Sequence, residues 1–251
     1  MNKLDKLYHF LAANHHWNET FQTDEYKKCL THCSTAKQRL IALLHMVAHT
    51  QSEPRLESLA EFWRHLEAAP WTHRAPSLLE LTVYIEKAGS PYANSAGPWD
   101  RIFHALNNID GWGPKTAALF VKCIIGLHRA SRGDLYCLQD IEIAHSLNDS
   151  DRLYLPVDAV IRRVFEACQL PRMGKSFYPI NATLFRAGYK AEQMLVWDDL
   201  WFWGFFTQNS SGEDRSLGWN EARFWGQLST PKSDVKTIRT LCEKFLKIIM
   251  A

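Results

Sequence analysis

The residues of this chain best placed to do chemistry are a lysine and an aspartate. Lys115 follows a glycine turn in the stretch Ile109-Asp110-Gly111-Trp112-Gly113-Pro114-Lys115-Thr116-Ala117-Ala118. Asp158 stands in Leu155-Pro156-Val157-Asp158. A lysine in the first turn of a helix lies near the positive end of the helix dipole. That position disfavours the ammonium and lowers its pKa. The neutral amine is a nucleophile that forms a Schiff base with the aldehyde carbon of a sugar. The plainer reading of Lys115 is a solvated surface charge. Asp158 precedes Ala159 to Cys168, which reads as a helix, so its plainer role is an N-cap. Sequence alone favours the cap. The two roles are compatible, because a carboxylate held at a helix start stays ionised and stabilises positive charge developing nearby.

Both residues need helices to hold them, and helical spacing dominates the chain. Apolar residues recur at i, i+3, i+4 and i+7 in Leu4/Leu7/Tyr8/Leu11, Leu40/Leu43/Leu44/Val47 and Leu56/Leu59/Ala60/Trp63. The pattern returns in Trp99/Ile102/Phe103/Leu106, Ala117/Phe120/Val121/Ile124, Ile161/Val164/Phe165/Cys168 and Ile238/Leu241/Cys242/Phe245. Period-2 alternation is scarce, so the expected fold is all-α with short connections. Loops are expected at Gly89 to Pro98, Ser131 to Asp134, Asn148 to Asp151, Pro171 to Pro179 and Ser210 to Gly218. Between 128 and 155, Tyr136-Cys137-Leu138 and Ile141 to Leu147 read equally as helix or as local insertion.

Gly111 and Gly113 let the backbone turn where a Cβ would be penalised. Pro114 suits the first helical position, where its missing N–H costs nothing. Such a turn aims several N–H groups one way and makes a site for a phosphate-sized anion. That device grips a nucleic-acid backbone without reading its sequence. An ordinary α-hairpin is the alternative; flanking helices and the Lys-Thr-Ala that follows favour the grip.

Composition bounds the rest. The 251 residues are 46% hydrophobic and 22% charged, with net charge +2. This permits a nucleic-acid partner without demanding one. No apolar run reaches membrane-spanning length, and Leu119 to Ile125 is broken by Lys122. Met1 to Leu11 carries Asp5 and His9 and reads as no signal peptide. Cys29, Cys33, Cys123, Cys137, Cys168 and Cys242 are scattered. They point to reduced thiols and a cytoplasmic location, nucleoid-associated in a bacterium or archaeon. Asn181-Ala182-Thr183 then carries no glycan.

Other candidates weigh less. Trp197, Trp201 and Trp203 crowd one segment and read mostly as core, with Trp201 a candidate pocket wall for a stacked base. Arg152, Arg162, Arg163, Arg172, Lys175, Arg186 and Lys190 outnumber Asp158 and Glu166 between 152 and 190. They form either a solvated face or a phosphate track. His45 and His49 lack a third ligand, and no second Cys/His pair follows Cys29, His32 and Cys33 at suitable spacing, so no metal site is expected.

These motifs resemble the helix-hairpin-helix DNA glycosylases of the endonuclease III superfamily (HhH-GPD). The family hairpin runs roughly Leu-Pro-Gly-Val-Gly-x-Lys-Thr-Ala, and Ile109 to Ala117 stands in that pattern. The family's aspartate opens a helix in Val-Asp-x-x-hydrophobic-Arg, which Val157 to Arg162 matches. Arg39 to Leu44 running into His49-Thr50-Gln51-Ser52 is similar to the helix whose end fills the gap left by a flipped base.

The resemblance implies two helical subdomains flanking a DNA-binding cleft. Residues 36–127 would form the barrel with the hairpin, 128–155 an insertion or connection, and 1–35 with 156–251 the second subdomain. It implies Lys115 as Schiff-base nucleophile and Asp158 as essential carboxylate. Phosphate contacts fall to Gly111, Trp112, Gly113 and Thr116, with Trp112 exposed toward DNA at the hairpin tip. His49, Gln51 and Trp201 are candidates for the base pocket or the gap. The partner is double-stranded DNA, bound by a monomer. The C-terminal third holds only Cys242, so the family's four-cysteine iron–sulfur cluster is absent; a monovalent cation at the hairpin carbonyls is the one cofactor left open. The resemblance is then nearest to the cluster-free, lysine-containing 8-oxoguanine glycosylases, archaeal type included. The expected activity is excision of an oxidised purine such as 8-oxoguanine, with abasic-site lyase activity. Two alternatives stay open, the first motivated by the long interval from Lys115 to Asp158. One is an anti-phage glycosylase removing a hypermodified, for example glucosylated hydroxymethyl, cytosine. The other is a non-catalytic helix-hairpin-helix DNA-binding module.

Overall fold

The computed structural model describes residues 2–71, 74–89, 95–130, 133–140, 142–148, 150–170, 174–209, 215–227 and 232–251. Parts of the five expected loops, and Arg172, lie outside the described residues. The protein is mostly helical, with one two-stranded hairpin among the described residues. No described helix is long and apolar enough to cross a membrane. The six cysteines are free thiols. The chain divides into two compact units: residues 22–156 with 190–192, and residues 1–21 with 157–189 and 193–251.

Chain order runs α1 (Lys3–Ala13), α2 (His15–Leu30), α3 (Ala36–Ala48), α4 (Leu56–Glu67), α5 (Leu78–Glu86), α6 (Pro98–Asn107), α7 (Pro114–Arg129) and α8 (Glu142–His145). There follow α9 (Ala159–Cys168), α10 (Phe177–Arg186), α11 (Ala191–Trp197), α12 (Asp199–Phe206), strands β1 (Gln208–Asn209) and β2 (Ser216–Leu217), α13 (Glu221–Gln227) and α14 (Lys232–Met250).

The unit with the glycine turn is built around α7. Ten of its sixteen residues are buried, on nearly every side, so it reads as a central helix. It packs on α3 and α6. Capping boxes fix the starts of α3 (Thr35 with Gln38) and α5 (Ser77 with Glu80). Helices α6 and α7 instead both open on Gly-Pro, with no side-chain cap. The expected faces of α3 and α6 are buried in full. In α4 the face is corrected: Leu56 is 71% exposed and Ala60 is exposed, while Leu59, Phe62 and Leu66 are buried. Both stripes satisfy helical spacing. Leu56 is the first residue of α4, where a side chain has no preceding turn to lie on.

The segment after α7 is mostly irregular. Tyr136-Cys137-Leu138 is not helical, and α8 is a single turn. Leu135, Cys137, Leu138, Ala144, Leu153 and Leu155 are nevertheless buried. Long-range bonds satisfy its backbone. Arg39 Nε donates to the Tyr136 carbonyl at 2.9 Å, Arg129 Nε to the Ala144 carbonyl at 2.6 Å, and the Cys137 and Leu138 N–H groups donate to His128 Nε2 at 3.3 Å each.

In the other unit α9 packs on α12 and α14, and α1 on α14. Gly204 permits the close approach of α12 to α9. A Cβ there would meet Val160 Cγ1 at 2.8 Å and Val164 Cγ2 at 2.9 Å. Strands β1 and β2 are antiparallel, with Gln208 opposite Leu217 and Asn209 opposite Ser216. The expected loop at Pro171 to Pro179 ends earlier than its last proline, because Phe177 opens α10 and a proline is tolerated in a first turn.

Candidate active site

Helix α6 ends at Asn107, and the chain reverses through Ile109 to Gly113. The Trp112 N–H donates to the Ile109 carbonyl at 3.0 Å, which closes the turn. Gly111 has φ +82°, a conformation that favours glycine, and a Cβ there would stand 3.1 Å from Ser58 Cβ. Gly113 is different: its φ is −112° and nothing lies within 4 Å of an added Cβ. It is the N-cap of α7 and has no side chain with which to cap the helix. The first N–H groups of a helix have no intrahelical partner, and the dipole adds partial positive charge there.

Asp110 anchors the turn to α4. Its Oδ1 accepts from Arg55 NH1 at 2.7 Å and its Oδ2 from the Ser58 hydroxyl at 2.5 Å. The Ser58 bond, ahead of the Arg55 charge, holds this carboxyl below its ordinary pKa. Both ends of the Arg55 pair are well exposed, so its value is structural alignment more than energy. An open groove of about 510 Å³ runs along the turn, from Gln51 and Glu53 to Gly113. Glu53, Arg55 and Asp110 all line it, so its side chains bring no excess of positive charge.

Lys115 is the second residue of α7, and its amine is not loose in solvent. Nζ donates to the Thr50 carbonyl and to the Thr50 hydroxyl, both at 2.7 Å. Thr50 follows the C-terminus of α3, and its own hydroxyl also donates to the Val47 carbonyl at 2.8 Å. Two chain segments therefore meet at the amine: the end of α3 and the first turn of α7. A nucleophilic Lys115 must shed a proton and leave Thr50.

Two expected contacts are corrected. Trp112 is not exposed at the hairpin tip; it is 6% accessible, packed edge-on against Phe62 and Trp63 with centroids 5.7 and 6.4 Å away. Burial of so large an apolar surface outweighs its position in a turn. The Thr116 side chain is 2% accessible because it faces the core from α7, so only its backbone could meet a phosphate. His49 is exposed, as the C-cap of α3. Gln51 is half-buried on the groove, and its side-chain nitrogen has no hydrogen-bond partner among the described residues. His45 stacks on Trp63 at 4.0 Å, and burial followed by the nearby His49 holds its pKa below the usual value. Among the described residues no group of three or more His, Cys, Asp or Glu side chains is placed to hold a metal ion.

In the other unit Asp158 is the N-cap of α9. Its Oδ1 accepts from the Ile161 N–H at 2.8 Å, and its backbone is extended. The carboxylate thus performs the plainer of its two expected roles, which fixes it at a positive helix end. Trp201, half-buried on α12, is stacked with Phe205 at 5.0 Å and more distantly with Phe21 at 6.0 Å. Its neighbours Trp197 and Trp203 are fully buried.

Comparison of the chain with protein-family models, with curated proteins and with solved structures finds no match. Geometry alone therefore bears on the chemistry. It adds Thr50, Arg55, Ser58 and Asp110 to the residues that sequence singles out. No spacing announces Thr50, since its part depends on α3 ending beside α7. Asp110 carried a weak signal, as an acid immediately before a glycine turn.

Proposed function

We propose that this protein is a DNA glycosylase with associated abasic-site lyase activity, working on duplex DNA as a monomer in the cytoplasm. The observation that carries the reading is the fixed amine of Lys115, one residue past a glycine-opened helix start. The target nucleotide leaves the stack, at a cost of about a few kcal/mol, and the base enters a pocket of the enzyme. The bond from C1′ to the base breaks, and its electron pair leaves with the base. Asp158 stabilises the positive charge that develops on the sugar. The Lys115 amine, having given up a proton, bonds to C1′. The sugar ring opens, O4′ takes a proton, and a Schiff base forms. Loss of a C2′ proton then expels the 3′ phosphate and nicks the strand, and water releases the lysine. The start of α7 at Gly111 and Gly113 holds a backbone phosphate meanwhile. An oxidised purine such as 8-oxoguanine is the first substrate to test. A hypermodified cytosine is the second, because the buried segment at 133–155 adds side chains after α7.

Borohydride trapping tests the lyase. Wild type is expected to form a covalent adduct with abasic duplex, and Lys115→Ala is expected to form none. Mass spectrometry of bases released from duplexes carrying each modification identifies the substrate. DNA binding with neither adduct nor base release would overturn the proposal in favour of a non-catalytic binding module.

A further inference from the structure

Helix α7 ends on a histidine whose bonds depend on its lacking a second proton. His128 is buried in the last turn of α7. Its Nε2 accepts from the Cys137 N–H and from the Leu138 N–H, both at 3.3 Å. A ring nitrogen that accepts carries no hydrogen, so the single proton of the neutral imidazole sits on Nδ1. Nδ1 is itself buried, with no hydrogen-bond partner among the described residues. The ring lies nearly flat on Tyr136, with 4.7 Å between centroids and 10° between planes.

The groups around the ring do nothing to hold a second proton. His145, on α8, is the titratable neighbour whose charge acts on it, and that charge repels. Arg129, next on α7, turns its Nε to the Ala144 carbonyl, and Arg39, on α3, turns its Nε to the Tyr136 carbonyl. Cys137 is fully buried, which pushes its thiol up to about 12 and keeps it neutral. Asp140 directs its carboxylate to the Leu78 N–H, at 3.0 and 3.1 Å. Burial, and after it His145, holds the His128 pKa down at about 4.

We infer that His128 is an acid-released latch, which holds residues 136–138 on the end of α7 and lets them go when Nε2 takes a proton. The inference does not depend on the chemistry proposed for Lys115. Once protonated, Nε2 is a donor facing two donors, and both bonds are lost together. The remaining ties of the stretch involve no proton change. They run from Arg39 to the Tyr136 carbonyl and from the Gln139 N–H to the Pro76 carbonyl at 3.0 Å. These ties confine the opening to a few residues, and the helices of the unit stay in place. Opening uncovers Cys137 and Leu138, both buried at rest. In the open form the imidazole regains its ordinary pKa, so opening binds a proton. The ratio of open to closed therefore rises as pH falls from 6.5 to about 4.

Thiol labelling with dithiodipyridine, which reacts in acid, reads the opening. Cys137 reports the latch, and Cys123, buried within α7 of the same unit, reports the unit as a whole. Rates are divided by those of the urea-unfolded chain at the same pH and located by peptide mass mapping. From about pH 7 to about pH 5 the Cys137 rate is expected to rise roughly twentyfold while Cys123 stays unlabelled. His128→Gln keeps an oxygen for the two N–H groups and has no titrating ring, so its Cys137 rate should be the same at both pH values. A wild-type Cys137 rate indifferent to pH overturns the latch, as does a glutamine variant that follows pH like wild type. Cys123 labelling as fast as Cys137 also overturns it, because the whole unit then opens. If the glutamine variant does not fold, an NMR titration of the wild-type imidazole decides: it is expected well below 6.5, and a midpoint at 6.5 or above overturns the latch.

Discussion

Two helices carry the residues of the proposed chemistry, and they begin in opposite ways. Helix α7 opens on Gly113-Pro114 with no side-chain cap and carries a cation at its second position. Helix α9 opens on Asp158, whose side chain accepts from the Ile161 N–H. The first start leaves its N–H groups for something outside the helix. The second uses its carboxylate on the helix itself and so fixes that carboxylate in space. A glycine start costs about a few tenths of a kcal/mol against a good side-chain cap. Bearing that cost at the end of the central helix of a unit makes sense if an external anion offsets it. On the proposed function the difference separates a binding device from an orienting one, and it can be broken one residue at a time.

The largest expected effect is at Asp158. Asparagine keeps an oxygen for the Ile161 N–H but loses the charge, whereas alanine loses both. Asp158→Asn should therefore melt within about 0.5 kcal/mol of wild type while base release in single turnover falls by roughly 10² to 10³. Asp158→Ala should lose as much activity and in addition about 1 kcal/mol of stability. An asparagine variant with full activity would reduce Asp158 to a cap and sink its catalytic role.

Next in size are two buried titrating groups, one in each unit, that respond to pH with opposite signs. In the hairpin unit His128 Nε2 accepts two N–H groups, and burial lowers its pKa from 6.5 to about 4. The unfolded chain therefore binds a proton there that the folded chain refuses, so stability is lost as pH falls from 6.5 toward 4. In the other unit Asp199 is fully buried, bonded by His15 Nδ1 at 2.8 Å and Asn18 Nδ2 at 2.7 Å. Burial raises its pKa from 3.8 to about 6 despite those bonds. Here the folded chain binds the extra proton, so stability is lost as pH rises from about 4 to 6. Each contribution is of the order of 3 kcal/mol. Urea titrations at several pH values should give a flatter acid limb for His128→Gln and a steeper one for Asp199→Asn. Curves parallel to wild type in both variants would contradict these assignments.

Where sequence was legible, local chemistry decided the structure. Leu40, Leu43, Leu44 and Val47 are all fully buried because a solvent-facing α3 would have no reason to repeat them. The start of α7 was legible because glycine and proline act through the backbone alone. The face of α4 was not, since Leu56/Leu59/Ala60 and Leu59/Phe62/Leu66 are both allowed stripes and packing against Trp112 chooses between them. The segment at 133–155 was not either. Its backbone is held by Arg39, His128 and Arg129, and a bond from Arg39 to Tyr136 leaves no periodic trace. Trp112 failed for the same reason: turn position is local, but the pocket of Phe62 and Trp63 that takes its ring is not. Lys115 was legible as a residue at a helix start, while its partner Thr50 lay 65 positions away.

The smallest effects discriminate most sharply, because they compare two glycines two residues apart. Gly111 sits at φ +82° with Ser58 Cβ in the way of a side chain. Alanine there should cost about 1 to 2 kcal/mol in backbone strain, with a little more as Ser58 gives way. In a chain of this size that lowers the melting temperature by roughly 2–4 °C per kcal/mol. Gly113 is extended, with open space where a Cβ would go. Gly113→Ala should cost less than Gly111→Ala, about 0.5 kcal/mol, because alanine is the poorer N-cap although the altered residue already occupies allowed backbone space. The open space is where a phosphate would approach the N–H groups of α7, so the added methyl should weaken binding of unmodified duplex several-fold, at high and low salt alike. Gly111→Ala should do the reverse, destabilising the turn while binding per folded molecule stays close to wild type. If Gly113→Ala binds duplex as wild type does, the start of α7 holds no phosphate, and its missing cap needs an explanation within the fold.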